Sequence, residues 1–101
     1  MEVALAAIAG RWTTLVLREL MQGPLSFSEL RSRLPSLSAK VLSDRLRGLT
    51  ERGMAECART AGFPTRTEYR LTERGLALRP LLITLYDVGG VLLTTEVPAR
   101  L

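Results

Sequence analysis

Lys40, Ser43, Asp44 and Arg47 are residue types that bond nucleic acid, and they fall within two helical turns of one another. Lysine and arginine donate to guanine or to phosphate, serine serves either base or phosphate, and a carboxylate accepts from the amino group of cytosine. Leu42, Leu46 and Leu49 recur at i, i+4 and i+7, the stripe of a helix that buries one side. The side opposite that stripe then carries Lys40, Ser43, Asp44, Arg47 and Glu51. Ser38 is the N-cap candidate, and the free amides of the turn it opens favour a phosphate. Basic residues also flank this segment: Arg31 and Arg33 before it, Arg59 and Arg66 after it, with Thr65 adjoining the last. The alternative is a solvated surface helix with unremarkable charges. Positive side chains on several successive elements favour the polyanion reading.

The elements that must hold these residues can be read from the punctuation. Val3–Ala9 predicts a short alanine-rich helix. Trp12, Leu15, Val16 and Leu20 predict an amphipathic helix from about Arg11 to Gln22, stopped by Gly23-Pro24. Leu25–Phe27 is too brief for more than a stub of extended chain. Ser26 with Glu29 as a capping box, or Ser28 directly, can open the next helix, whose stripe of Leu30 and Leu34 ends at Pro35. Two helices joined by Pro35-Ser36-Leu37 form a helix-turn-helix candidate over about 28–52. Met54–Thr60 and Arg66–Leu71 predict a hairpin over 54–71, its tip being Ala61-Gly62-Phe63-Pro64-Thr65. Thr72 caps a last helix over 73–93, with Gly89-Gly90 ending or bending it.

That last helix is apolar on almost every side: Leu78, Leu81, Leu82, Leu85, Tyr86 and Val88 share it. Such a helix must be covered all round, and a small domain cannot do so alone, so a second copy is expected against these residues and against Leu5 and Ile8. Tyr86 and Asp87 could instead line an effector pocket, the less favoured role. Trp12 is expected to fill core or interface.

Composition bounds the chemistry. The chain has 101 residues, 47% apolar, with 14 Lys+Arg against 10 Asp+Glu, and Lys40 is the only lysine. This length predicts one domain over residues 1–101. No histidine and one cysteine exclude a zinc site, a Cys–His pair and a disulfide framework within the chain. Paired carboxylates, a glycine-rich phosphate loop and a nucleophile–base set are lacking, so neither an enzyme nor a cofactor is expected. Glu2 and the want of a basic residue before Val3–Ala9 speak against a secretory signal. Leu81–Leu93 is shorter than the ~20 apolar residues that span a bilayer, and it holds Asp87. The expectation is a cytoplasmic protein with no membrane partner; the arginine and leucine bias hints at a GC-rich bacterial genome.

Gly10-Arg11-Trp12-Thr13, Leu17-Arg18-Glu19-Leu20, Gly23-Pro24-Leu25 and Phe27-Ser28-Glu29-Leu30 together resemble the opening of HxlR-type winged helix-turn-helix regulators, within the MarR-like superfamily. The resemblance continues through Arg45-Leu46, Leu49, Gly53, Arg66, Glu68-Tyr69 and Leu71-Thr72. It implies a mainly α fold with a small β-hairpin wing, homodimers formed through the terminal helices, and double-stranded DNA as partner. It further implies palindromic operators, most often repression, and a recognition helix at Ser38–Arg52. On that basis Arg31, Ser38, Lys40, Ser43, Asp44, Arg45, Arg47, Arg59, Thr65 and Arg66 are the DNA-binding candidates, with Arg45 either bracing the helix or holding a phosphate. A small-molecule effector is compatible with the resemblance but not identified by it. Winged-helix domains that grip an acidic protein are the competing reading.

Two departures stand out. Asp44 occupies a position where the family usually has an uncharged polar residue. Several relatives sense oxidants through a cysteine ahead of the first helix, where this sequence reads Met1-Glu2-Val3. Cys57 instead lies on the first wing strand, where a small packed side chain is favoured over a redox or alkylation switch.

Overall fold

The computed structural model describes residues 1–60 and 66–95. Its elements are α1 (Glu2–Ile8), α2 (Thr13–Leu20), β1 (Leu25–Ser26), α3 (Phe27–Arg33), α4 (Ala39–Glu51), β2 (Ala55–Thr60), β3 (Arg66–Leu71), α5 (Glu73–Leu76) and α6 (Arg79–Thr94). The fold is mainly helical with a three-stranded antiparallel sheet in the order β1-β3-β2. Leu25 pairs with Tyr69 and Ser26 with Glu68, so the expected stub is a true edge strand of the wing.

The core is built from one stripe of each central helix. Val16, Leu17 and Leu20 of α2, Leu30 of α3 and Leu42, Leu46 and Leu49 of α4 are essentially inaccessible. Met54 and Ala55 carry that packing into the sheet. Burial of a leucine side chain stabilises by roughly 1.5–3 kcal/mol, so these stripes rather than helix propensity hold the short helices together.

Helix α2 starts later than periodicity predicts. Gly10 lies at φ 97° and Trp12 at φ 77°, so the chain turns a left-handed corner before Thr13. A Cβ on Gly10 would stand 3.2 Å from Thr13 Oγ1 and 3.4 Å from the Arg45 guanidinium. Trp12 therefore precedes the helix, half-buried against the core, with the Arg11 guanidinium 4.8 Å from its ring centroid.

The final helical stretch is broken rather than continuous. Thr72 Oγ1 accepts from Gly75 N–H at 3.1 Å and donates to the Gly53 carbonyl at 2.5 Å, fastening α5 to the end of α4. Gly75 abuts the Met54 carbonyl so closely that no Cβ could fit. Ala77 and Leu78 form a turn, and α6 begins with Pro80 in its first turn, where a missing N–H costs nothing. Gly89 and Gly90 do not end it, and α6 runs to Thr94. Leu81 and Leu82 pack against the core, but none of the helix's residues is buried. The radius of gyration of 15.8 Å exceeds the ~13 Å of a compact chain this long, as a projecting helix requires.

Two expectations about this region are corrected. Leu78, assigned to a partner contact, is 7% exposed and belongs to the chain's own core. Counted with α5, Glu73–Thr94 makes 22 residues and holds an 18-residue window of mean hydropathy 1.6, so by length and composition it suffices to cross a membrane. Its first turns, however, carry Glu73, Arg74 and Arg79 and are locked onto protein through Gly75 and Leu78.

Candidate nucleic-acid interface

Two caps and a proline set the angle between α3 and α4. Ser26 Oγ accepts from Glu29 N–H at 3.1 Å while Glu29 Oε1 accepts from Ser26 N–H at 3.0 Å, so the capping box rather than Ser28 opens α3. Leu34 and Leu37 are buried on either side of Pro35, and Leu37 N–H donates to the Leu34 carbonyl at 3.0 Å. Ser38 Oγ then accepts from Val41 N–H at 3.1 Å and starts α4. Both ends of the turn are thus fixed by hydrogen bonds and buried leucines.

Helix α4 presents the expected residues outward. Lys40, Ser43 and Arg47 are exposed, and Asp44 is half-buried. Arg47 Nη2 donates to Asp44 Oδ1 at 2.5 Å, an i,i+3 ion pair. Arg45 points sideways: its Nε donates to the Arg11 carbonyl at 2.6 Å. That bond ties α4 to the corner before α2.

Around that helix, Arg31 on α3 and Arg59 on β2 are exposed and, like Lys40, form no ion pair among the described residues. Arg33 is engaged instead, donating to Gln22 Oε1 at 3.3 Å and lying 3.7 Å from Glu19 Oε1. Glu19, 8% exposed, also pairs with Arg18 at 3.2 Å. In the sequence this carboxylate stands only within the motif Leu17-Arg18-Glu19-Leu20, with no role expected of it. Its spacing of three from Val16, on the buried side of α2, was the available signal. It fastens α3 and so helps orient the turn.

In the wing, Cys57 faces Tyr69 and Arg59 faces Thr67 across β2 and β3, while Glu56 pairs with Arg70 at 2.7 Å. Cys57 is exposed, so the expected packing of this side chain is not found. Burial pushes the Tyr69 hydroxyl above its ordinary 10.0; the Cys57 thiol raises it further, against a lowering by Arg59. Thr65, with the rest of the wing tip, lies outside the described residues, and Arg66 is placed only as the first backbone position of β3.

Helices α2 and α6 enclose an open groove of about 610 Å³. Leu15, Met21, Leu82, Ile83, Leu85 and Tyr86 line it, with Arg18, Arg79 and Asp87 among the remaining lining residues. Leu85, Tyr86 and Val88, like Leu5 of α1, are exposed; Ile8 is half-buried. The expected interface residues other than Leu78 thus keep accessible apolar surface.

A helix-turn-helix flanked by a β-hairpin wing, with a cationic surround and a capped second helix, defines the winged-helix class of transcriptional regulators. Residues 7–96 match the family described as HxlR-like helix-turn-helix, and the chain belongs to it. It is 40% identical over 81 residues to the HTH-type transcriptional regulator YvaP of Bacillus subtilis, covering 80% of this chain and 75% of YvaP. A MarR-family transcriptional regulator from Enterococcus faecalis V583 superposes with a TM-score of 0.81 at 34% identity, over 90% of this chain and 83% of that one. Reduced YodB, a transcriptional regulator of B. subtilis, gives 0.79 at 32% identity over 86% of this chain and 85% of its own. YodB has also been solved bound to quinone.

Proposed function

We propose that the protein is a cytoplasmic, sequence-specific DNA-binding repressor that acts as a homodimer on a palindromic operator. The observation that carries the reading is the second helix of the turn: its apolar side is wholly buried, its outward side offers Lys40, Ser43, Asp44 and Arg47, and Arg31 and Arg59, exposed and without an ion pair among the described residues, flank it. The capped N-terminus of α4 adds amides and partial positive charge suited to a phosphate. In this reading Arg31, Ser38, Arg59, Thr65 and Arg66 hold the backbone, while Lys40, Ser43, Asp44 and Arg47 face base edges. Arg45 acts from behind by fixing the helix. Repression would be steric, by occupancy of promoter DNA.

The apolar residues exposed on α1 and α6 support pairing with a second copy. Residues 73–93 then serve as the dimerisation helix of a single domain, and the two α4 helices meet successive major grooves ~34 Å apart. A small-molecule effector, of which quinone-bound YodB is an example in a relative, would act by changing the tilt of the two α4 helices through α6. Cys57 is exposed on the wing opposite Tyr69, and diamide is expected to leave operator binding unchanged.

Selection of bound duplexes from a random pool at fixed salt tests the reading. The expected result is a palindromic site whose affinity falls steeply with salt, as released counterions require. Arg47→Ala should weaken binding to that site by about 1–3 kcal/mol without changing the melting temperature. Failure to enrich any duplex, with capture of an acidic protein instead, would refute the reading in favour of a protein-binding module.

A further inference from the structure

The outward side of α4 is balanced in charge. Lys40 and Arg47 stand there with Asp44 and Glu51, two of each sign. A helix meant only to hold phosphates would not carry two carboxylates, because each repels the backbone it approaches. One of the two is also engaged: Asp44 takes the hydrogen bond of Arg47, although Lys40 lies one turn away and was equally available by spacing. The Arg47 side chain remains 66% exposed and that of Asp44 38%, so the pair is presented to solvent as a unit rather than buried as a structural bridge.

We infer that Asp44 is a positioning residue for specificity: it holds Arg47 in the orientation that reads a guanine and penalises the phosphate contacts the same arginine would otherwise make. The inference rests on the DNA-reading assignment above. Arginine carries five N–H donors in a planar fork. A free, exposed arginine spends its flexibility on whichever phosphate is near, a contact without sequence information. With Nη2 tethered to Asp44, the guanidinium has one preferred direction, and the N–H groups not used by the carboxylate remain for O6 and N7 of guanine. Less freedom is then lost on binding the right base. Asp44 Oδ2 is left as an acceptor, suited to the amino group of a cytosine and unsuited to any phosphate oxygen.

The half-site must therefore contain a G·C pair whose preference depends on both residues. The experiment is duplex selection with the full chain, comparing wild type, Arg47→Ala, Asp44→Ala and Asp44→Asn, each checked for an unchanged melting temperature. In wild type one position should be strongly G·C. Arg47→Ala should flatten that position, and Asp44→Ala should flatten the same one, lowering its discrimination about tenfold while raising affinity for unselected duplex several-fold. Asp44→Asn keeps an acceptor for Arg47 but removes the charge; it should raise affinity for unselected duplex yet retain most of the guanine preference. A position that depends on Arg47 but survives Asp44→Ala, or one that is not guanine, overturns the inference while leaving DNA reading intact. Enrichment of no duplex by wild type is a different failure and removes the assignment beneath it.

Discussion

Helices α4 and α6 have similar lengths, 13 and 16 residues, and opposite relations to the rest of the chain. Helix α4 is completed by its own protomer: Leu42, Leu46 and Leu49 are at most 1% exposed, and everything turned outward is polar. Helix α6 is apolar all round, has no buried residue, and leaves Tyr86, Leu92 and Leu93 at 75%, 68% and 90% exposure. The difference separates what the fold needs from what the function needs. A charged outward side on a finished helix is free to meet a polyanion, whereas a greasy helix without cover is left for something outside the chain to finish.

The same residue type on the two helices should behave differently. Leu46→Ala opens a cavity under α4 and should cost about 2–5 kcal/mol in urea unfolding, at any protein concentration. Leu85→Asp places a charge on the exposed wall of the groove, where the protomer tolerates it and a desolvated contact does not. Its expected effect is a halved mass in sedimentation and a loss of about 2 kcal/mol or more of association free energy, with a melting temperature that ceases to depend on concentration. Wild-type mass in that variant would mean that α6 is covered through some other face, or by something other than a second copy.

The finished half was largely legible in the sequence and the unfinished half was not. Caps fix backbone hydrogen bonds locally, so Ser26 with Glu29, Ser38 and Pro35 announced the helix-turn-helix before any contact was known. Periodicity then oriented α4, because only one stripe of it is apolar. In α6 and the turn before it the apolar residues occupy all sides and carry no phase; nothing local could show that Leu78 turns inward while Leu85 turns out. The strand β1 depends on partners more than forty positions away along the chain, Tyr69 and Glu68, and two residues give no period. Trp12 stands outside α2 for a related reason: its left-handed φ belongs to a corner that Arg45 braces from another helix. Between Lys40 and Arg47 as partners for Asp44, spacing alone offered no choice.

Because α4 is completed within the chain, its cap should matter by itself. Ser38→Ala removes the acceptor for Val41 N–H and should cost about 1 kcal/mol, within the usual 0.5–2. Fraying of the first turn would also loosen the amides offered to phosphate, so operator affinity should fall with stability, and thermal melts beside binding isotherms check both. A cap removed from a helix that was already ordered by tertiary packing alone would change neither.

The smallest handle lies on the sheet beside α4, where Tyr69 packs against the core. Its raised pKa, caused first by burial and then by Cys57, means that the folded state prefers the neutral phenol. The corresponding stability is fully present below the ordinary 10.0 and is lost as pH rises through the higher folded value. Wild type should therefore lose stability in alkali more steeply than Tyr69→Phe, which cannot ionise, while the two track each other below pH 9. Urea midpoints measured across that range decide the matter, and equal slopes for the two proteins would show that Tyr69 is as well solvated as a tyrosine on the open face of α6. If the slopes differ and do not change on dilution through the range in which the proposed dimer would dissociate, the burial belongs to the single chain, as it does for Leu46 and as it cannot for Leu85.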